Sequence, residues 1–167
     1  MRVTDQALFH DADVLAVDED TLVELKRRAL TAPHRRYRLC LHRSPDDPVQ
    51  EMIIVHCRDN YSRPHAHETA SCCVVLDGAL GVYVFDESGS VARVVELAAR
   101  GSGKPFTLWI GPGQWHMPVC RTPQVVFYET MAGPFRRDEA NRWAPWSPEE
   151  GDADAIARYL AGLGVAR

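Results

Sequence analysis

The feature that most limits the fold is a series of short β-type segments between residues 35 and 130, separated by turn residues such as Asp77-Gly78 and Gly111-Pro-Gly113. No helical period lies between these segments, whereas parallel strands would need crossover helices. The pattern therefore favours an antiparallel barrel or sandwich. We predict strands at 36–42, 52–57, 71–76, 79–85, 91–97, 106–110, 117–120 and 125–129.

The two ends of the chain carry a different pattern. The segment 18–21 supplies acidic and N-cap residues ahead of Leu22, Leu25 and Leu30, and the predicted helix ends before Pro33. A short strand is predicted at 14–17. Near the other end, Asp152 is expected to cap a helix with Ile156, Tyr159, Leu160 and Leu163 on one face.

These patterns divide the chain into three parts. Residues 1–34 form an N-terminal extension with one helix, and residues 35–130 form the β-barrel. Residues 131–167 form a coil and a short helix, in which Trp143 and Trp146 are expected to pack on the barrel.

Composition excludes several classes of function. The 46% hydrophobic and 25% charged residues are those of an ordinary globular protein, and the basic residues are scattered, so no nucleic-acid surface is predicted. The start has no signal-peptide core, and no apolar stretch is long enough for a bilayer. We therefore predict a cytoplasmic protein, in whose reducing environment the five cysteines, odd in number and without CxxC spacing, serve as small buried apolar residues.

Three histidines form the most informative motif. His65 and His67 lie two residues apart, so on an extended chain both side chains project from one face. His116 follows the Gly111-Pro-Gly113 turn, which delivers it into the start of the next strand. Three neutral imidazoles with an open position are a familiar metal site, so the sequence predicts a transition metal bound by His65, His67 and His116.

The same segments resemble the two motifs of the cupin superfamily, and the resemblance extends into loops across about residues 35–150. It is closest to the WbuC-type cupin-fold metalloproteins, which are associated with bacterial surface-polysaccharide gene clusters. The resemblance implies an all-β, antiparallel cupin barrel of the jelly-roll type with short helical appendages at both ends. The segments that carry it are 42–52, 63–67, 76–78, 84–86, 103–106, 115–116, 129–130, 133–135 and 144–146.

The fourth ligand departs from the cupin pattern. Cupins normally have a glutamate ligand seven residues before the closing glycine, and that position here is Ser71. Glu68, Cys72 and Cys73 are the alternatives. Glu68 would need a bulge to share a face with His67, and one of two adjacent cysteines must point outward. A divalent metal (Zn, Fe, Mn or Ni) without a carboxylate ligand is expected to attract an anionic ligand.

Arg63 and Glu129 are the candidate catalytic residues. Arg63 could hold a substrate carboxylate or phosphate, or form a surface ion pair. Glu129 is in phase with Val125 and Phe127, so it is expected to face inward as a general base or as a partner of a histidine, with a rim salt bridge as the alternative.

Several functions fit this site. The first is a metal-dependent enzyme (an isomerase, epimerase or lyase) acting on a small polar metabolite such as a sugar or nucleotide-sugar. The alternatives are an iron-dependent dioxygenase, a non-catalytic module that binds a small ligand, and a metal-free cupin that uses histidine as a base. Cupins commonly pair through edge strands, so we also predict a homodimer.

Overall fold

The structure is a computed structural model that describes residues 2–136 and 141–165. Strands are the main regular structure, and the chain has one helix near each end. The strands are β1 (Arg2–Val3), β2 (Ala7–Phe9), β3 (Arg36–Cys40), β4 (Val49–Cys57), β5 (His65–Ala66), β6 (Ser71–Asp77), β7 (Ala79–Phe85), β8 (Val91–Ala98), β9 (Thr107–Ile110), β10 (His116–Cys120), β11 (Gln124–Ala132) and β12 (Arg142–Trp143), and the helices are α1 (Glu19–Thr31) and α2 (Ala153–Gly162).

The strands form two sheets. A seven-stranded sheet has the order β1-β2-β3-β4-β11-β6-β9, and a five-stranded sheet has the order β12-β5-β10-β7-β8. The ladders are antiparallel, except that β2 runs parallel to β3. The predicted all-β, antiparallel jelly-roll class is confirmed, although the described strands remain two separate sheets and do not close into one barrel.

The core consists of three clusters of buried residues: one between the two sheets and one on the outer face of each sheet. Between the sheets lies a cluster that includes Ile54, Val82 and Phe127. Helix α1 packs on the outer face of the seven-stranded sheet through Leu25 and Ala29. Helix α2 belongs to the cluster on the other side of the five-stranded sheet, with Ile156, Leu160, Trp115 and Met117. The helices therefore cover the outside and leave the space between the sheets for a site.

Most predicted elements are present, and the N-terminal part differs from the prediction. Helix α1 is capped by the Asp18 side chain, and α2 by that of Asp152, as predicted. The predicted strand at 14–17 is wrong, because these residues have no strand structure. Instead, β1 and β2 lie in the predicted extension, and β2 joins the seven-stranded sheet through β3.

Neither helix of the described residues has the length and hydrophobicity of a membrane-spanning segment.

Candidate metal centre

The three histidines come together on the five-stranded sheet, facing the space between the sheets. His65 lies on β5 and is paired directly with His116 on β10. His67 follows β5, and its carbonyl oxygen accepts a hydrogen bond of 2.8 Å from the backbone N–H of Gly113. Gly113 has a φ of 73°, which favours glycine. The turn before His116 is thus bonded to the backbone of the HxH segment, which fixes the distance between the two motifs.

The imidazoles are close enough to share one ion. One nitrogen from each of the three lies within 4.8 Å of the others. The ring centroids are 4.9 Å apart for His65 and His67, 4.4 Å for His65 and His116, and 5.2 Å for His67 and His116. This spacing suits ligands that surround one metal ion.

Backbone carbonyls fix the orientation of two of these rings. Nδ1 of His65 lies 2.8 Å from the carbonyl oxygen of Arg63, and Nδ1 of His116 lies 2.9 Å from that of Gln114. A carbonyl only accepts hydrogen bonds, so Nδ1 must carry the proton. The lone pair is then on Nε2, which is the tautomer needed for coordination through Nε2.

Burial keeps the same two rings neutral. Desolvation lowers the pKa of His65 well below its ordinary 6.5, and the nearby His116 and His67 add to the effect. Desolvation is also the main cause that lowers the pKa of His116 to about 4. Because a protonated imidazole cannot coordinate, this environment prepares both side chains to bind a metal at neutral pH.

The histidines line a cavity of about 1080 Å³ between the two sheets. The lining includes both polar residues, such as Gln50 and Glu129, and apolar residues, such as Ile54 and Val82. A cavity of this size accommodates a small metabolite beside the histidines.

Glu129 lies on the opposite wall, on β11 of the seven-stranded sheet. It lines the cavity together with Phe127, on the inward face expected from its phase in the sequence. Desolvation raises the pKa of its carboxyl group, while the charges of His67 and Arg38 oppose that rise. This site therefore has a carboxyl group facing it from the other sheet.

Arg63 also lines the cavity, but its guanidinium contacts the C-terminal coil. Its Nε donates to the Ser147 hydroxyl at 3.2 Å, and its Nη2 donates to the Ala144 carbonyl at 3.3 Å. Exposed Glu149 lies 3.8 Å from its Nη1. Arg63 thereby ties the HxH segment to the coil that precedes α2.

Comparison with known proteins yields little about activity. A family model described as a domain of unknown function, DUF6016, matches residues 17–97, which include His65 and His67. No curated protein matches the sequence.

Several solved structures share the arrangement of strands. A protein from Shewanella oneidensis has a TM-score of 0.55 at 11% identity, covering 78% of this chain and 86% of that one. KdgF from Halomonas sp. has a TM-score of 0.47 at 18% identity, covering 62% and 82%. A cupin superfamily protein from Desulfitobacterium hafniense has a TM-score of 0.47 at 11% identity, covering 58% and 76%.

The fold is a jelly roll of the cupin type. The two-sheet topology and the placement of the three histidines agree with this description, and similarity at such low identity shows the fold alone. The cupin fold places the histidine cluster and the cavity on the inner side of one sheet.

The sequence predicts that Ser71 stands where cupins usually have a glutamate ligand. Ser71 is buried on β6, on the same face as Cys73 and Val75. Cys73 lines the cavity, but burial, followed by the charges of Glu129 and Cys72, raises the pKa of its thiol to about 12. Cys73 is therefore a neutral thiol at physiological pH and a poor ligand.

The other two candidates face away from the histidines. Glu68 is exposed in a bend after His67, and among the described residues it does not belong to the histidine cluster. Cys72 lies on the opposite face of β6, where its sulfur is 3.7 Å from the Thr107 hydroxyl.

His56 and Arg38 are cavity residues that the sequence-based site does not include. His56 is 5% exposed and lines the cavity. Arg38 also lines it. The alternation of β3 and β4 places both on the inward face, so the strand period was the available signal.

Proposed function

We propose that the chain is a metal-dependent enzyme that acts on a small polar metabolite, with His65, His67 and His116 as metal ligands. The observation that supports this most strongly is the cluster of three imidazole nitrogens within 4.8 Å at the wall of a cavity of about 1080 Å³. The donor set suits a divalent transition metal such as Zn, Fe, Mn or Ni.

A bound metal would supply Lewis-acid chemistry at a carbonyl or hydroxyl oxygen of the substrate. The chain itself provides two further functions. The cavity walls orient the substrate beside the histidines. The carboxylate of Glu129 faces the histidines from the other sheet and accepts or returns a proton at a substrate carbon or hydroxyl.

We propose that Arg63 is a positioning residue for the histidine segment. Its hydrogen bonds to Ser147 and Ala144 hold the backbone from which His65 and His67 project. It is also half-buried and lines the cavity.

The proposals for the substrate and the biological role rest on the resemblance of the sequence to the WbuC-type cupins. We propose on this basis a sugar or nucleotide-sugar as substrate and a role in surface-polysaccharide biosynthesis. The five cysteines are free thiols, which supports a reducing, cytoplasmic location.

A homodimer through a sheet edge is also proposed. Strand β9 forms one edge of the seven-stranded sheet, and its Trp109 is 66% exposed. Edge strands present unpaired backbone groups that a second copy can use. Light scattering at micromolar protein should give twice the 18.7 kDa chain mass, and a monomeric mass would contradict the proposal.

Metal content and turnover test the function. Protein purified without added metal should carry about one transition metal per chain by elemental analysis. His116→Ala should lose it, whereas His34→Ala, which removes an exposed histidine, should keep it. A wild-type protein that takes up no Zn, Fe, Mn or Ni on reconstitution would refute the metal site.

The catalytic part needs a separate assay. Nucleotide-sugars incubated with the metal-loaded protein and followed by NMR should show conversion, and Glu129→Gln should retain the metal but reduce turnover by about 10²–10⁴-fold. Binding of these compounds without turnover by the metal-loaded wild type would favour a ligand-binding module instead.

A further inference from the structure

One cavity arginine has no partner in the described part of the chain. Arg38 lies on β3 between Arg36 and Cys40, and it is half-buried in the wall of the cavity. Within residues 2–136 and 141–165, its guanidinium makes no hydrogen bond and no ion pair. A guanidinium carries five N–H donors, and leaving them unused in a partly buried wall is costly.

The other two half-buried arginines of the cavity are occupied. The guanidinium of Arg36 donates to both carboxylate oxygens of Glu150, at 2.9 and 3.3 Å. That of Arg63 donates to Ser147 and Ala144. Arg38 is therefore the half-buried guanidinium with donors available for a ligand.

Arg2 brings a second positive charge to the same place. Its guanidinium lies over the ring of Phe9, 4.1 Å from the centroid. Phe9 pairs with Cys40, two residues along β3 from Arg38. Burial raises the pKa of the Cys40 thiol, and the charges of both Arg38 and Arg2 oppose that rise, so both guanidinium groups lie near Cys40.

Among residues 2–136 and 141–165, no carboxylate forms a salt bridge with either guanidinium. The charge of Arg38 acts to lower the pKa of Glu129, but the two side chains form no salt bridge among the described residues. The residues that line the cavity include four arginines and three carboxylates, and one of these carboxylates, Glu150, already binds Arg36. The wall around Arg38 and Arg2 thus favours an anion.

We propose that Arg38, with Arg2 beside it, binds an anionic group of the substrate, a carboxylate or a phosphate. The planar fork of Arg38 suits two parallel hydrogen bonds to either group. Arg38 belongs to the seven-stranded sheet and the histidines to the five-stranded sheet, and packed sheets lie about 10 Å apart. The substrate would have its anionic group at Arg38 on one wall and an oxygen bound to the metal on the other. The contact with the metal rests on the proposed function.

Titration of the metal-free full-length chain with inorganic phosphate tests the Arg38 subsite alone. Arg38→Gln should weaken phosphate binding by at least about tenfold, and Arg38→Lys should weaken it less, because lysine keeps the charge but lacks the fork. Arg100→Gln, in the exposed turn after β8, removes the same charge away from the cavity and should leave the affinity within about twofold. Equal affinity in wild type and Arg38→Gln would overturn the proposal.

Arginine side-chain NMR of the wild type gives a second readout, so the test does not depend on whether Arg38→Gln folds. The Nε–H resonance that disappears in Arg38→Lys should shift on addition of phosphate to the wild type. A resonance that stays unmoved at saturating phosphate would overturn the subsite even if Arg38→Gln failed to fold.

A series of dicarboxylates tests the bridging geometry in the metal-loaded protein. One chain length should bind at least tenfold more tightly than acetate, and Arg38→Gln should abolish that gain while leaving acetate binding unchanged. A dicarboxylate series with no gain over acetate would refute the bridging arrangement. If the protein took up no metal, the proposed function would fail, while the phosphate titration would still decide the Arg38 subsite.

Discussion

His56 should make the stability of the protein fall steeply in acid. It is 5% exposed on the inward face of β4, and its ring packs edge-on against Phe127 with centroids 5.1 Å apart. Its Nδ1 has no hydrogen-bond partner among the described residues. Burial first, and then the charges of Arg36 and Arg38, lower its pKa from 6.5 to about 3.

The size of the effect follows from this shift. In the unfolded chain His56 takes up a proton near pH 6.5, whereas in the folded chain it stays neutral until about pH 3. The stability is complete above pH 6.5 and is lost as the pH falls toward 3. Linkage gives a loss of about 2 kcal/mol at pH 5 and about 3 kcal/mol at pH 4 from this residue.

Urea unfolding of the metal-free protein at pH 7.5, 6 and 5, with chelator present, measures the loss. Between pH 7.5 and 5 the wild type should lose about 2 kcal/mol more free energy of unfolding than His56→Gln, since other titrations cancel in the comparison. His34→Gln, which removes a histidine that is 39% exposed, should keep the wild-type dependence. Equal losses in wild type and His56→Gln would refute the reasoning.

Three further outcomes are expected. Ser71→Glu should tighten metal binding and weaken anion binding at the open position, as measured by calorimetry; unchanged metal affinity in a folded variant would contradict the inward position of Ser71. Leu25→Ala, at a fully buried position of α1, should cost about 2–5 kcal/mol in urea unfolding, while Val23→Ala, 56% exposed, should change stability by less than about 0.5 kcal/mol. Metal should be released on dialysis as the pH falls below about 4, because burial lowers the pKa of His116 to about 4 and the protonated ring cannot coordinate; full retention at pH 3 would point to other ligands.

The strands of the jelly roll could be predicted because local signals agree with the fold. The Asp77-Gly78 turn separates two alternating segments, and β6 and β7 begin and end within a residue of the predicted bounds. The N-terminal strands were missed since β1 and β2 are only 2 and 3 residues long. Such segments acquire strand structure from their neighbour β3, which local sequence does not reveal.

Some residues of the candidate site could be predicted from the sequence, and others could not. His65, His67 and His116 could be found because their spacing relative to turns carries information along the chain. Arg38 and His56 could not be assigned to the cavity from residue type alone, because arginine and histidine in half-buried strands face either side. Long-range contacts add to the difficulty: Glu150, whose carboxylate accepts hydrogen bonds from Arg36, lies 114 residues beyond it in the sequence.

The pairing of β5 has a consequence for the order in which the molecule assembles. His65 pairs with His116 on one side and with Trp143 on the other, so its strand has no neighbour until the chain has been made far beyond it. Contacts between such distant residues form slowly, since a long loop must close first. The three histidines should therefore meet late in folding, after short-range hairpins such as that of β3 and β4 have formed. A metal ion added during refolding should bind at the rate of the final folding phase, which makes metal uptake a reporter of completed chains.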